Sequence, residues 1–203
     1  MTFEPGDIAA CHARDWSGQA IRWGTVSLLA PKRLRLGPSH VAVLFRHEGE
    51  MVWGESTTLC GRPCRVHRTQ VTGAQAHRPD ERIADYVNDG GRVDLFRLTP
   101  INRLSEAESQ LLTRILLKHF IEPGVGYDLG GALLSGTRML QRSRMFPIAD
   151  LHTLFCSELV AALVMRLNRM NHANPSRFHP ARLLRELVKT GKYELIETFG
   201  EEP

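Results

Sequence analysis

The chain has 203 residues, of which 42% are hydrophobic and 24% are charged, and its formal net charge is +4. These values are ordinary for a globular protein. The sequence has no repeats, low-complexity stretches or convincing interdomain linker, and no apolar run approaches the length that spans a bilayer. We therefore predict a single domain over residues 1–203 without a membrane span.

Most of the sequence divides into short helix and strand patterns. Apolar residues at helical spacing predict an amphipathic helix over residues 17–30, which stops at Pro31. Further along the chain, Ser105 and Glu108 form a capping box, a pattern that typically opens a helix. The other predicted elements are strands over 40–45, 51–55, 93–98 and 193–198, helices that begin at 105, 156 and 180, and a long polar excursion over 61–88.

The strands over 40–45 and 51–55 are predicted to form a hairpin with a four-residue connection. If Phe45 pairs with Glu50, His40 lies directly opposite Glu55, and directly opposed residues have Cβ atoms about 5 Å apart. One imidazole nitrogen of His40 can then bind Glu55 while the other faces a third group. Each residue also has an ordinary explanation, as a hydrogen-bonded histidine at a strand end and a solvated carboxylate at a sheet edge.

Cys156 stands at the start of a predicted helix. The residues that follow it have the spacing of a buried helical face: Leu159, Val160, Leu163, Val164 and Leu167. A helix N-terminus stabilises the thiolate, which is the nucleophilic form of cysteine. The alternative is a buried structural cysteine, since free cysteines are often buried. With His40 and Glu55, however, Cys156 completes a set of nucleophile, base and orienting carboxylate.

Two other features of the sequence have patterns that occur in binding sites. Cys60 and Cys64 have a spacing seen in zinc sites, but a second ligand pair is missing and Gly61 and Pro63 favour a turn, so we predict no metal and no cofactor. Positive charge is concentrated in two clusters that can attract an anionic surface, or are simply solvated loops. They consist of Lys32, Arg33 and Arg35, and of Arg138, Arg142 and Arg144. No nucleic-acid-binding motif accompanies them.

The chain order of histidine, carboxylate and cysteine resembles the circularly permuted papain-like branch of the NlpC-type cysteine hydrolases, and within it the YiiX-like group. The resemblance covers most of the chain, although each motif is short. The motifs are Pro5-Gly6-Asp7-Ile8, Ser39-His40-Val41, Trp53-Gly54-Glu55, Gly126-Tyr127-Asp128 and Phe155-Cys156-Ser157-Glu158-Leu159, with Asn174-Pro175-Ser176 as a further segment. Val41 departs from the His-Gly variant of the family pattern.

This resemblance implies an α+β fold, in which a small antiparallel sheet packs against helices and the nucleophile lies at a helix N-terminus. It implies Cys156 as nucleophile, His40 as general base and acid, and Glu55 as the third member of the triad. Tyr127 is a candidate donor to an oxyanion, together with the Cys156 backbone N–H. The alternative for Tyr127 is a core tyrosine whose hydroxyl caps a backbone group. Ser39 is a further candidate for contact with the oxyanion or the substrate.

The predicted function is that of a cysteine-dependent hydrolase that attacks an amide, peptide or ester carbonyl and forms a covalent thioester. Cell-wall peptides are one substrate class that the resemblance allows. The alternatives are a thiol acyltransferase or lipase-like enzyme that acts on acyl lipids, and a catalytically silent binding module on the same fold. Because the first residues lack the pattern of a signal peptide, we expect a cytoplasmic protein, or one released by lysis or carried in a virion.

Overall fold

The computed structural model describes residues 2–14, 27, 30, 32–126 and 155–201. Within these residues, six strands form one antiparallel sheet in the order β4-β3-β2-β1-β5-β6. The strands are β1 (Ile8–His12), β2 (His40–His47), β3 (Glu50–Thr57), β4 (Gly73–His77), β5 (Arg92–Leu98) and β6 (Tyr193–Phe199). The predicted strands at 93–98 and 193–198 are therefore confirmed.

The α-helices in the described residues are α1 (Lys32–Arg35), α2 (Pro79–Asn88), α3 (Glu106–Ile115), α4 (Cys156–Arg166) and α5 (Pro180–Lys189), and two short 3-10 helices span Pro100–Asn102 and Pro175–Arg177. The predicted capping box is confirmed at the start of α3, because the Ser105 hydroxyl accepts from the Glu108 N–H and the Glu108 carboxylate accepts from the Ser105 N–H. The helix then continues as a π-helical turn over Leu116–Ile121. None of the helices in these ranges is long and apolar enough to cross a membrane.

Each face of the sheet has its own hydrophobic core. Val43 and Phe45 of β2 belong to the larger core, which also contains the apolar faces of α3, α4 and α5. The alternate residues Ala42 and Leu44 belong to a smaller core, to which α2 contributes Ile83. This alternation follows from the two-residue period of a strand. It places His40 and Glu55 on the face that α2 covers.

The predicted register of the β2–β3 hairpin is wrong by two residues. Phe45 pairs with Val52, not Glu50, and His47 pairs with Glu50. The connection is a turn with two central residues, Glu48 and Gly49, at φ values of 51° and 81°, and two residues with positive φ are typical of the tight I′ hairpin turn. The turn was missed because glutamate rarely adopts this conformation. A shift of two residues keeps every side chain on its face.

The predicted polar excursion over 61–88 is also wrong, because this segment contains β4 and α2. The strand has a Gly-Ala-Gln-Ala-His sequence, which has little of the β-branched and aromatic character that marks strands. The helix begins after Arg78, which makes no side-chain capping hydrogen bond. Pro79 at its first position and Asp80 and Glu81 in its first turn are helix-start signals that the prediction did not use. The helix predicted over 17–30 lies outside the described residues, except for Ser27 and Ala30.

Candidate active site

His40 and Glu55 are in direct contact at one end of the sheet. His40 is the first residue of β2 and Glu55 lies near the end of the antiparallel strand β3. The Nε2 atom of His40 is 2.7 Å from Oε2 of Glu55, and the side chains are 12% and 0% exposed. The contact occupies Nε2 and leaves Nδ1 as the ring nitrogen that can face another group.

Cys156 is the first residue of α4 and interacts with the His40 ring. Phe155 precedes it as the N-cap residue and makes no side-chain capping hydrogen bond, so its side chain does not cap the N–H groups of the first turn. Cys156 is 4% exposed. Burial lowers the pKa of His40, but the charge of the Cys156 thiolate and hydrogen bonds to Cys156 and Glu55 outweigh burial and raise that pKa to about 10. The arrangement therefore favours the imidazolium form of His40.

Arg82 of α2 binds the other side of the Glu55 carboxylate. Its Nε donates to Oε1 at 2.7 Å, and a terminal nitrogen donates to Oε2 at 3.3 Å. Burial raises the pKa of Glu55, yet the hydrogen bond from His40 and the charge of Arg82 outweigh burial and hold that pKa well below its usual range. Glu55 is consequently a carboxylate with both oxygens in charge-assisted hydrogen bonds.

Helix α2 contributes two more residues around this pair. Tyr86 lies one turn beyond Arg82, and its ring stacks on the His40 ring with centroids 6.4 Å apart and planes inclined by 23°. The Arg82 guanidinium carbon is 5.2 Å from the centre of the Tyr86 ring, which is cation–π range. Asp85 accepts from Arg82 at 2.9 Å. None of these three residues was predicted from the sequence, because the helix was not recognised; their i, i+3, i+4 spacing places them together on a helix.

The other predicted site residues whose side chains are described bind backbone groups, and the rest lie outside the described residues. The Ser39 hydroxyl donates to the Cys11 carbonyl and accepts from the Ala13 N–H, each at 3.1 Å, so it braces the end of β1. Tyr127 lies outside the described residues, as do three of the basic residues: Arg138, Arg142 and Arg144. The side chains of Lys32 and Arg33 also lie outside them, while Arg35 donates to the Ala30 carbonyl at 3.3 Å.

One group of potential metal ligands is present beside Glu55. Glu55, Cys60 and His77 each have one ligand atom within 4.8 Å of the others. The group fits a metal poorly, because both Glu55 oxygens are already bound and Arg82 holds a positive charge in the same place. Nε2 of His77 is also 2.9 Å from the Gln75 side-chain oxygen. Cys64 is not part of the group, because its sulfur accepts from the Ala76 N–H at 3.3 Å.

Comparisons with known proteins identify a shared fold. No family model and none of the curated proteins matches the chain. Five chains among the solved structures match it. One of these structures is metalloprotein yiiX from Escherichia coli O157:H7, which is 15% identical with a TM-score of 0.59 over 98% of each chain. At this level of identity the likeness concerns the fold alone, and it extends over nearly the whole length of both chains.

Proposed function

We propose that the protein is a cysteine-dependent hydrolase on a permuted papain-like fold of the NlpC type, with Cys156, His40 and Glu55 as its catalytic triad. The observation that carries the proposal is the position of one imidazole between a buried carboxylate and a cysteine at a helix N-terminus. This order of groups is typical of an activated cysteine nucleophile. The full-length likeness to the YiiX structure supports the fold on which the family resemblance rests.

In the proposed mechanism, the Cys156 thiol gives its proton to His40 and the thiolate attacks the substrate carbonyl. The carbonyl oxygen becomes an oxyanion, which the Cys156 N–H at the helix start stabilises. The imidazolium of His40 then protonates the leaving amine or alcohol as the carbon–heteroatom bond breaks, and a thioester remains. Water attacks this thioester, with His40 as the base, and releases the acid and the free thiol.

Glu55 supports these proton transfers without accepting a proton itself. It binds Nε2 of His40 and so orients Nδ1 toward the sulfur. Its negative charge also favours the imidazolium that forms during the reaction. A carboxylate whose pKa lies well below the usual range stays ionised throughout the cycle.

We do not propose a metal-dependent reaction, although the solved neighbour is called a metalloprotein. The Glu55 oxygens that a cation would need serve His40 and Arg82 in this chain. The residues of the Glu55, Cys60 and His77 group therefore take no part in the mechanism as metal ligands.

Selective alkylation of the four cysteines tests the nucleophile without a known substrate. At about pH 6, iodoacetamide reacts with a thiolate much faster than with a thiol. Burial raises the pKa of Cys11 and of Cys60, so both should react slowly. Peptide mass spectrometry should find Cys156 modified first, and His40→Ala should abolish this preference. Equal or slower labelling of Cys156 would contradict the proposal.

An activity screen then tests the reaction class. The purified protein would be incubated with peptidoglycan fragments, simple peptides and acyl esters, with Cys156→Ala as the control. Hydrolysis that depends on Cys156, with a thioester trapped on that residue, supports the hydrolase. A reactive Cys156 without turnover of any of these compounds would favour the silent binding module.

A further inference from the structure

An alternating chain of charges runs from the candidate triad across helix α2 to the segment before β4. Arg82 binds Glu55 and Asp85, and Asp85 in turn accepts two hydrogen bonds from Arg62, at 2.6 and 2.8 Å. When Cys156 and His40 are included as the proposed ion pair, the sign of the charge changes from each residue of the chain to the next. Each charge is thus stabilised by its neighbours, and the order is negative, positive, negative, positive, negative, positive from Cys156 to Arg62.

We propose that Arg82 is a positioning residue of the site, which holds the Glu55 carboxylate in place and neutralises the net negative charge of the triad. This inference rests on the proposed function. In the ion-pair state the thiolate, imidazolium and carboxylate sum to one negative charge. Arg82 supplies the matching positive charge, and Asp85 with Arg62 fixes the guanidinium that carries it.

The hydrogen bonds of Arg82 hold the Glu55 carboxylate in one orientation. The two hydrogen bonds from Arg82 reach both carboxylate oxygens, so they fix the rotation of the group as well as its position. Oε2 is shared between Arg82 and His40. The Glu55 side chain is 0% exposed and that of Arg82 is 9% exposed, so bulk water cannot readily replace the guanidinium. Among the described residues, loss of Arg82 would leave this buried carboxylate with the hydrogen bond to His40 and with Nε2 of His77 4.0 Å from Oε1.

The other ionisable groups that surround Glu55 in the described residues cannot supply this charge. Burial lowers the pKa of His77, which favours its neutral ring. Burial raises the pKa of Cys11, Cys60 and Tyr86, which favours their neutral forms as well. Asp85 is anionic and faces Arg82 from the same helix. Arg82 is therefore the permanent cation next to the triad in this part of the chain.

Arg82 also supports the imidazole through Tyr86. The guanidinium lies over the Tyr86 ring, and that ring stacks on His40. Removal of Arg82 would thus loosen His40 from two directions, through Glu55 and through Tyr86. The sequence gives no direct sign of this role, since a buried arginine on a helix becomes recognisable only when its carboxylate partner is known.

The pH dependence of Cys156 alkylation separates a positioning role from a merely structural one. Removal of a nearby positive charge raises the pH at which a buried group gives up its proton. In Arg82→Gln, the acid limb of the alkylation rate should therefore move to higher pH by about one unit, which lowers the rate on that limb about tenfold. Arg82→Lys keeps the positive charge but loses the paired hydrogen bonds of the guanidinium. The acid limb of its alkylation rate should therefore lie between those of wild type and Arg82→Gln.

A half-buried arginine bound to a buried aspartate provides a matched control. Arg97 donates to both Asp7 oxygens, at 2.8 and 2.9 Å, and Asp7 is 1% exposed, but neither residue is in contact with the triad. Arg97→Gln breaks a comparable pair and should lower the melting temperature without shifting the alkylation limb. If Arg82→Gln shifts the limb no more than Arg97→Gln does, the positioning role is wrong.

Two further arms keep the test decisive. If Arg82→Gln does not fold, Arg82→Lys and Asp85→Asn are measured in its place, since each weakens the hold on Glu55. The proposal is wrong if neither variant shifts the acid limb of the Cys156 alkylation rate. Wild-type protein without preferential Cys156 labelling refutes the proposed function itself. A wild type that labels at Cys156, combined with an Arg82→Gln limb that does not move, refutes only the role of Arg82.

Discussion

Nε2 of His40 lies 2.7 Å from Oε2 of Glu55, although the two residues are not opposite one another in the hairpin. Val43 pairs with Gly54, and the same register continued by one position sets Glu55 against Ala42. His40 is therefore a diagonal neighbour of Glu55, two positions along β2. Diagonal neighbours are about 7–8 Å apart at their backbones, within reach of long side chains only. The contact depends on the length of the glutamate side chain.

Glu55→Asp should consequently lose the contact with His40 even though it keeps the negative charge. The shorter side chain cannot span the diagonal while Arg82 holds it on the other side. We expect its kcat/KM for any substrate found to fall about as far as that of Glu55→Gln. Steady-state kinetics of the two variants provides the comparison. Wild-type activity in Glu55→Asp would contradict this account of the geometry.

His40→Ala should remove activity as completely as a change of Cys156, whereas Glu55→Gln and Glu55→Ala should leave a measurable remainder. The base transfers the proton directly, while the carboxylate only orients and stabilises it, and loss of the orienting group usually costs less. Rates of the single variants and of the His40→Ala, Cys156→Ala double variant would be compared. Wild-type rates in Glu55→Ala would move the third role to another carboxylate, such as Glu158 or Asp128.

The sequence patterns were reliable where a period could be counted. The face of His40 and Glu55 followed from strand alternation and survived the wrong register, because the error was an even number of residues. The start of α4 at Cys156 followed from helical spacing. Both features are local, so they are readable from neighbouring residues.

The contacts made by Arg82 could not be predicted in the same way. They depend on β4, which has a weak strand signal, on α2, whose N-cap residue makes no side-chain hydrogen bond, and on a pairing between residues 27 positions apart. Ser39, next to His40 in the sequence, was predicted to contact the oxyanion or the substrate. In the structure its hydroxyl binds backbone groups of residues 11 and 13. Proximity in sequence identified the strand end but not the hydrogen-bond partners.

Cys156→Ala and Cys156→Ser should abolish turnover and leave the fold intact. The residue is 4% exposed, so we expect a change of about 1 kcal/mol in the free energy of unfolding, which is typical of a small buried substitution. Circular dichroism and denaturant titration would measure this loss beside the activity assay. Strong destabilisation with residual turnover would identify a structural cysteine.

The alkaline limb of the pH–activity profile should lie near the pKa of His40. The thiolate and Glu55 raise this pKa to about 10, so the imidazolium that protonates the leaving group persists up to that pH and is lost above it. Glu55→Gln removes one of the two negative neighbours, and its limb should therefore move to lower pH. Initial rates after brief pH jumps would measure both limbs. An alkaline limb near the ordinary histidine value in wild type would contradict the proposed ion pair.

His179 should make the protein less stable in mild acid. Its Nδ1 accepts from the Arg182 N–H at 3.2 Å and caps α5, which requires the neutral ring. Burial, together with the charges of Arg185 and Arg182, lowers the pKa of His179 to about 4 from the ordinary histidine value of 6.5. The pKa of His179 is therefore lower in the folded protein than in the unfolded chain. The stability that the neutral ring contributes is complete above the pKa of the unfolded chain, and it is lost as the pH falls toward the pKa of the folded protein.

His179→Asn tests this cap, since asparagine accepts the same kind of hydrogen bond and does not titrate. The free energy of unfolding would be measured by denaturant titration at several pH values between about 4 and 7, the range that lies between the two pKa values. The decline toward acid should be smaller in His179→Asn than in wild type. His179→Ala should lose about 1 kcal/mol at neutral pH, the usual cost of a missing N-cap. Parallel declines in wild type and His179→Asn would show that other groups cause the acid sensitivity.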